Sequence, residues 1–191
     1  DVLSAPEPPA FLPIARAMRH CARGIALAAK GDVEEAKAEQ TAFLAARAVV
    51  PEEARFGNNA AADLLGVADR LLEGEVLYRA GETEAAIAAL EEAVRREDAL
   101  RYDEPPDWIH PVRHALGAIL LHEGRAAEAE KVYRADLAKL PDNGWALYGL
   151  AQSLKRQEKL AEAVEVERRF QEIWANADIE ISSSCYCQPA D

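Results

Sequence analysis

The sequence is poor in the residues that announce most chemistries. Among 191 residues there are 3 cysteines, 4 histidines and only 3 Trp, 5 Tyr and 4 Phe. An odd cysteine count cannot close a complete disulfide framework, so cross-links do not hold this fold. No stretch approaches the roughly 18 to 20 uninterrupted apolar residues of a membrane span. The N-terminus lacks a basic segment followed by an apolar one, so no export signal is read there. A Gly-rich phosphate loop, a nucleophile elbow and a His-Glu-x-x-His pair are all missing, which points away from an enzyme and implies no cofactor. Positive charge is the scarcer sign, with 22 Lys and Arg against 34 Asp and Glu and a net of −12. That balance opposes any role built on neutralising a nucleic acid backbone.

What the chain has in abundance is alanine, 40 residues of it. A core of small side chains at close spacing favours packed helices. A search for self-similarity finds four columns in register. Gly24, Gly74, Gly117 and Ala151 are spaced by 50, 43 and 34 residues, and Leu27, Leu77, Leu120 and Leu154 keep the same intervals. So do Gly31, Gly81, Gly124 and Glu158, and likewise Ala36, Ala86, Ala129 and Ala163. The unit is therefore 34 residues, with two insertions. Within the third unit, Leu116, Gly117, Leu120 and Leu121 fall on one helical face. Gly124 then interrupts, and Ala126, Ala129, Val132, Tyr133 and Leu137 form a second stripe before Pro141. Each unit is expected to be a helix-turn-helix whose small residues set the distance between axes. Pro111 suits the first position of a helix, and Asp32 and Asp142 stand ahead of helical runs as expected caps.

With these residues, the chain resembles the tetratricopeptide repeat family from about Ile14 to Ala175, most specifically at Leu116-Gly117-x-x-Leu120, Gly124, Ala129, Tyr133 and Pro141. It departs from the family pattern at Glu158, at Gln40 and Glu167, and at Arg113, where a tryptophan is frequent. The stretches around Tyr102 to Trp108 and Asn143 to Gln152 also look like the C-terminal part of longer bacterial proteins of this type. The expected fold is all-α: a right-handed α-solenoid of about four hairpins, with units near 14–48, 60–98, 110–141 and 142–175. A Pro-rich segment, 1–13, precedes it, and an extended tail, 176–191, carrying Cys-x-Cys, follows. The chain opens at Asp1 without Met and is expected to be a processed product or a piece of something longer. The compartment is left open between bacterial cytoplasm and periplasm. The insertion from Val49 to Asn59 reads as a loop, and that from Ala99 to Ile109 as a rigid, solvated acidic loop carrying Asp103, Glu104 and Asp107.

By family resemblance, the first helix of each unit lines a concave groove, the default binding site for a partner protein or peptide. Projecting the helical period puts Trp145, Tyr148, Gln152, Lys155 and Arg156 on it from the fourth unit, and His114, Ala118, Leu121 and His122 from the third. The second offers Leu71, Glu75, Tyr78 and Arg79, and the first Met18, Cys21 and Ile25. Rings beside cationic heads suit a peptide with apolar side chains and a carboxylate. The alternative for Trp145 and Tyr148 is packing against the next helix or the chain's own tail. That tail, with Ile179 and Ile181 alternating before Ser182, is itself a candidate to lie extended along the groove or along the last helix, the alternative being a disordered terminus. A second function is metal binding, Zn²⁺ or Cu(I), by Cys21, Cys185 and Cys187 with a histidine such as His114, His20 or His110. Two cysteines one residue apart close only a small ring, so they are expected as free thiols, metal ligands or partners of another thiol.

Overall fold

The computed structural model describes residues 2–185 and Cys187. The protein is all-α. Among the described residues there are eight helices: α1 (Pro13–Ala29), α2 (Val33–Ala48), α3 (Ala61–Arg79), α4 (Thr83–Asp98), α5 (Val112–His122), α6 (Ala126–Lys139), α7 (Gly144–Arg156) and α8 (Leu160–Trp174). A two-residue ribbon, β1 (Arg55–Phe56) antiparallel to β2 (Asn59–Ala60), stands before α3. None of these helices is long and apolar enough to cross a membrane. The chain divides into two compact units, the first ending at Val112 and the second beginning at Arg113.

The four sequence columns meet at four turns of one geometry. Gly31, Gly81, Gly124 and Glu158 all take positive φ, at 85°, 83°, 73° and 60°. At each turn the following N–H reaches back five residues to a leucine carbonyl: Asp32 to Leu27, Glu82 to Leu77, Arg125 to Leu120 and Lys159 to Leu154. That is the closure of a Schellman motif, which satisfies carbonyls the helix end leaves open. The alanine column is the fourth residue of the next helix, with Ala36, Ala86, Ala129 and Ala163 donating to the residue four before each of them. Glu158 adopts the left-handed conformation although it carries a Cβ, so the turn geometry overrides the residue.

Small residues let the helices approach. A Cβ on Gly24 would stand 2.6 Å from Leu72 Cδ1 and 3.6 Å from the Ala36 carbonyl; one on Gly74 would stand 2.6 Å from Leu90 Cγ and 3.2 Å from the Ala86 carbonyl. In the first unit, α3 packs on α1, α2 and α4 over a core that includes Ala17, Cys21, Ala36, Phe43, Leu65 and Leu72. In the second unit, α7 packs on both α6 and α8.

The caps differ from the sequence reading. Pro111 lies just outside α5, which starts at Val112. Asp32 precedes α2 without a side-chain cap bond. The cap of α7 is Asn143, whose side chain accepts from the Trp145 N–H, while Asp142 pairs with Arg169 at 2.9 Å. The acidic loop is not simply solvated either. Asn59 Nδ2 donates to Asp107 Oδ2 (2.7 Å) and to the Arg101 carbonyl (3.2 Å), and Asn59 Oδ1 accepts from the Arg101 N–H (2.7 Å). Asn58 donates its backbone N–H to Asp103 Oδ2 (3.1 Å) and its amide to the Tyr102 carbonyl (3.1 Å). The two insertions thus hold each other through the buried amide of Asn59 and the exposed amide and backbone N–H of Asn58.

Candidate functional site

The site is built in the second unit, and it begins with a tyrosine on a second helix. Tyr133 of α6 is fully buried. The end of its ring occupies space that side chains on α5 and α7 would otherwise fill: a Cβ on Gly117 would lie 2.4 Å from its Cζ, and one on Gly149 2.2 Å. Two glycines facing one another from neighbouring helices therefore leave a slot, and Tyr133 fills it. A buried phenol hydroxyl needs a hydrogen-bond partner, and this one meets Ser184 Oγ at 2.5 Å. Burial holds the phenol well above its ordinary pKa, so it stays a neutral donor. Ser184, 2% exposed, passes its own proton to the backbone carbonyl of His114 at 3.3 Å.

The rest of the tail is held along the same face. Tyr148 donates its hydroxyl to the Ser182 carbonyl (3.1 Å), and Trp174 donates its indole N–H to the Ile179 carbonyl (2.9 Å). These rings support one another. Phe170 stacks on Trp174 with centroids 5.4 Å apart, Tyr148 meets Phe170 edge-on at 5.7 Å, and Trp145 meets Trp174 edge-on at 5.7 Å. Gly144 makes room, since a Cβ there would lie 2.5 Å from the Trp174 ring. Trp145 and Tyr148 therefore pack on the next helix, and Tyr148 also bonds to the chain's own tail, as the alternative reading of these two residues has it.

Beneath this face lies a fixed polar cluster. Asn143 Oδ1 accepts the Trp145 N–H, which orients the amide so that its Nδ2 donates to both Asp136 Oδ2 (2.7 Å) and His114 Nε2 (2.7 Å). The proton of a neutral His114 then sits on Nδ1. His114 is buried, and its ring belongs to this cluster rather than to an open surface.

Several expected site residues are placed differently. Lys155 pairs with Glu167, and Arg156 donates to the Leu121 carbonyl. Gln152 is half-buried on α7, and His122 is exposed beside Glu123 at 3.2 Å. Ala118 and Leu121 are buried. Tyr78 and Arg79 belong to the first unit at the end of α3, with the guanidinium 5.7 Å from the ring centroid. Leu71 is half-buried, and Glu75, expected on a groove wall, is fully buried. In α1, Ile25 packs on the first unit's core, and Met18 lines an open apolar cleft with Phe11, Leu12, Ile14, Phe56 and Trp108.

The metal ligand set is also altered. Cys185 and Cys187 form a disulfide with their Cα atoms 5.2 Å apart, correcting the expectation of free thiols, and in that state neither sulfur is a thiolate. The spacing of Cα atoms falls within the range a disulfide spans, so one intervening residue suffices. Cys21 is buried in the first unit with its thiol toward the Ala68 carbonyl, and burial aided by the charges of Asp69 and Glu75 pushes its pKa up to about 12. His20 is engaged with Glu39 at 2.6 Å.

Tyr133, Ser184, Asn143, Asp136, Phe170 and Trp174 were not on the sequence's list of site residues. The signals for them were present: facing glycines in Gly117 and Gly149, and aromatic residues four apart on α8. No family model, curated protein or solved structure matches the chain.

Proposed function

We propose that the protein is a non-catalytic scaffold of tetratricopeptide type, its four hairpins stacking as a right-handed solenoid, and that it binds an extended polypeptide on the face of α5 and α7. The observation that supports this reading is the tail itself: Ser182 and Ser184 bond to Tyr148 of α7 and to the His114 carbonyl of α5, while Tyr133 of α6 and Trp174 of α8 hold Ser184 and Ile179. Recognition through backbone carbonyls is what makes a surface able to take a second polypeptide in place of the first. The four turns of one geometry support the repeat assignment.

The test uses the full chain carrying Ser184→Arg, whose own tail cannot seat because a long charged side chain replaces a buried hydroxyl. A labelled synthetic peptide spanning 178–187, with its disulfide closed, is titrated in and followed by fluorescence anisotropy. Saturable binding is expected, with loss on adding Tyr148→Ala and unchanged helical circular dichroism. Absence of saturation, or binding indifferent to Tyr148, removes the proposal.

A further inference from the structure

The geometry points to a serine-reading subsite on this face, made by the Tyr133 hydroxyl as donor and the His114 carbonyl as acceptor. The occupant it selects is an extended segment of a partner polypeptide carrying serine two residues after the carbonyl that Tyr148 takes. This rests on the peptide-binding reading above and adds what the peptide must contain. The chain's own tail is the internal competitor, and it displays the pattern: Ser182 supplies the carbonyl and Ser184 the hydroxyl.

The argument starts from the floor of the site. Gly117 and Gly149 both lack the Cβ that would close the slot, so the Tyr133 hydroxyl reaches Ser184 while its ring stays buried. Beside it the His114 carbonyl accepts a second hydrogen bond, from Ser184. One ligand atom must therefore accept from a phenol and donate to a carbonyl at once. Among side chains a hydroxyl does this with a single atom. Alanine would leave the Tyr133 hydroxyl buried without a partner, which is the costly outcome for a polar group. Threonine would add a methyl where Ser184 is 2% exposed, and cysteine would offer a larger and weaker donor. The His114 ring cannot swing in to compete, because its Nε2 is bound to Asn143.

Recognition of this kind discriminates strongly, since a site built to hydrogen-bond a hydroxyl is left unpaired by the analogue lacking it. In the Ser184→Arg chain, the peptide spanning 178–187 is compared with the same peptide carrying alanine in place of Ser184. The alanine peptide is expected to bind at least tenfold more weakly. In the Tyr133→Phe background, which keeps the ring in its slot and removes only the hydroxyl, that difference is expected to shrink to within twofold. Equal binding of both peptides overturns the serine-reading subsite while leaving the peptide-binding face standing. A preference that survives Tyr133→Phe overturns it as well. Failure of the peptide that keeps Ser184 to bind overturns both readings. If Ser184→Arg does not fold by circular dichroism, the intact chain serves through hydrogen exchange of amides 180–185. Ser184→Ala and Tyr133→Phe should each speed exchange at least tenfold, and the double variant should do so no further. Unchanged exchange, or additive effects, counts against the subsite.

Discussion

Glu158 is the residue whose conformation runs most clearly against its chemistry. Its φ of 60° matches the three turn glycines, yet a Cβ in that region crowds the following carbonyl. Glu158→Gly should therefore stabilise the protein, by about 1 kcal/mol, because relief of strain outweighs the added freedom of the unfolded chain. Urea denaturation of the two forms decides it; a variant less stable than the parent would show that Glu158 makes a compensating contact. At Gly149 the sign is opposite. Alanine there would put its Cβ 2.2 Å from the Tyr133 ring, which is fully buried. Overpacking of a filled interior costs about 1–3 kcal/mol, and a midpoint unchanged by Gly149→Ala would mean that Tyr133 shifts freely. The two predictions concern glycine positions of different kinds, one set by φ and the other by space.

The helices and their turns were legible in the sequence because each depends on residues within one turn of each other. Leucine carbonyl, turn residue and the alanine that makes the next helix's first backbone bond recur at fixed offsets, so the columns record the hydrogen bonds directly. The insertions and the tail were less legible for the complementary reason. Their hydrogen bonds join residues 42, 45 and 48 apart in one case and 51 and 70 apart in the other, and such pairings leave no period. The tail was foreseen as an occupant from its alternating apolar residues, but the contacts that seat it are carbonyls and Ser184, which that pattern does not mark. Lys155 and Arg156 were expected to face a ligand because a helical projection places a side chain on a face without saying what carboxylate or carbonyl lies opposite. At the element scale, Asn59 is the test. It ties the ribbon to the acidic insertion through both ends of its amide, so Asn59→Ala should cost about 1–2 kcal/mol, through the loss of three hydrogen bonds whose partners on the insertion can turn to water. It should also open the segment 101–107 to protease before the helices unfold. Resistance of that segment equal to the parent's would show that the insertions are held by other contacts.

At the scale of the whole molecule, the excess of acid raises the question of where stability peaks with pH. Most carboxylates with a resolved shift sit below their ordinary range because guanidinium or ammonium groups donate to them: Glu130, lowered to about 2 chiefly by Lys159, with Arg134 and Gln157 adding; Glu92 by Arg95; Glu128 by Arg125; and Glu165 by Arg168. Each contributes stability that is present above the unfolded pKa near 4.5 and lost as pH falls through the lower folded value. Glu75 behaves in reverse. It is fully buried, neither carboxylate oxygen has a hydrogen-bond partner among the described residues, and burial raises its pKa to about 7 despite the opposing charge of Arg79. Between 4.5 and 7 the folded chain keeps this proton and the unfolded chain releases it, so stability falls across that window and levels off above it. Separating the two pKa values converts to about 3 kcal/mol, as an order of magnitude. Stability should therefore be greatest near pH 4.5–5 and lower at pH 8, an acid optimum in a protein whose surface carboxylates alone would place it higher. Glu75→Met removes the buried acid while conserving volume, so the decline from pH 4.5 to 7 should vanish and stability at pH 8 should rise by about 2–3 kcal/mol. Thermal unfolding of both forms at half-unit steps from pH 4 to 8.5 measures this. A parent whose stability is flat or rising over that interval, or a variant that keeps the parent's decline, would show that Glu75 ionises in the folded chain at its ordinary pH.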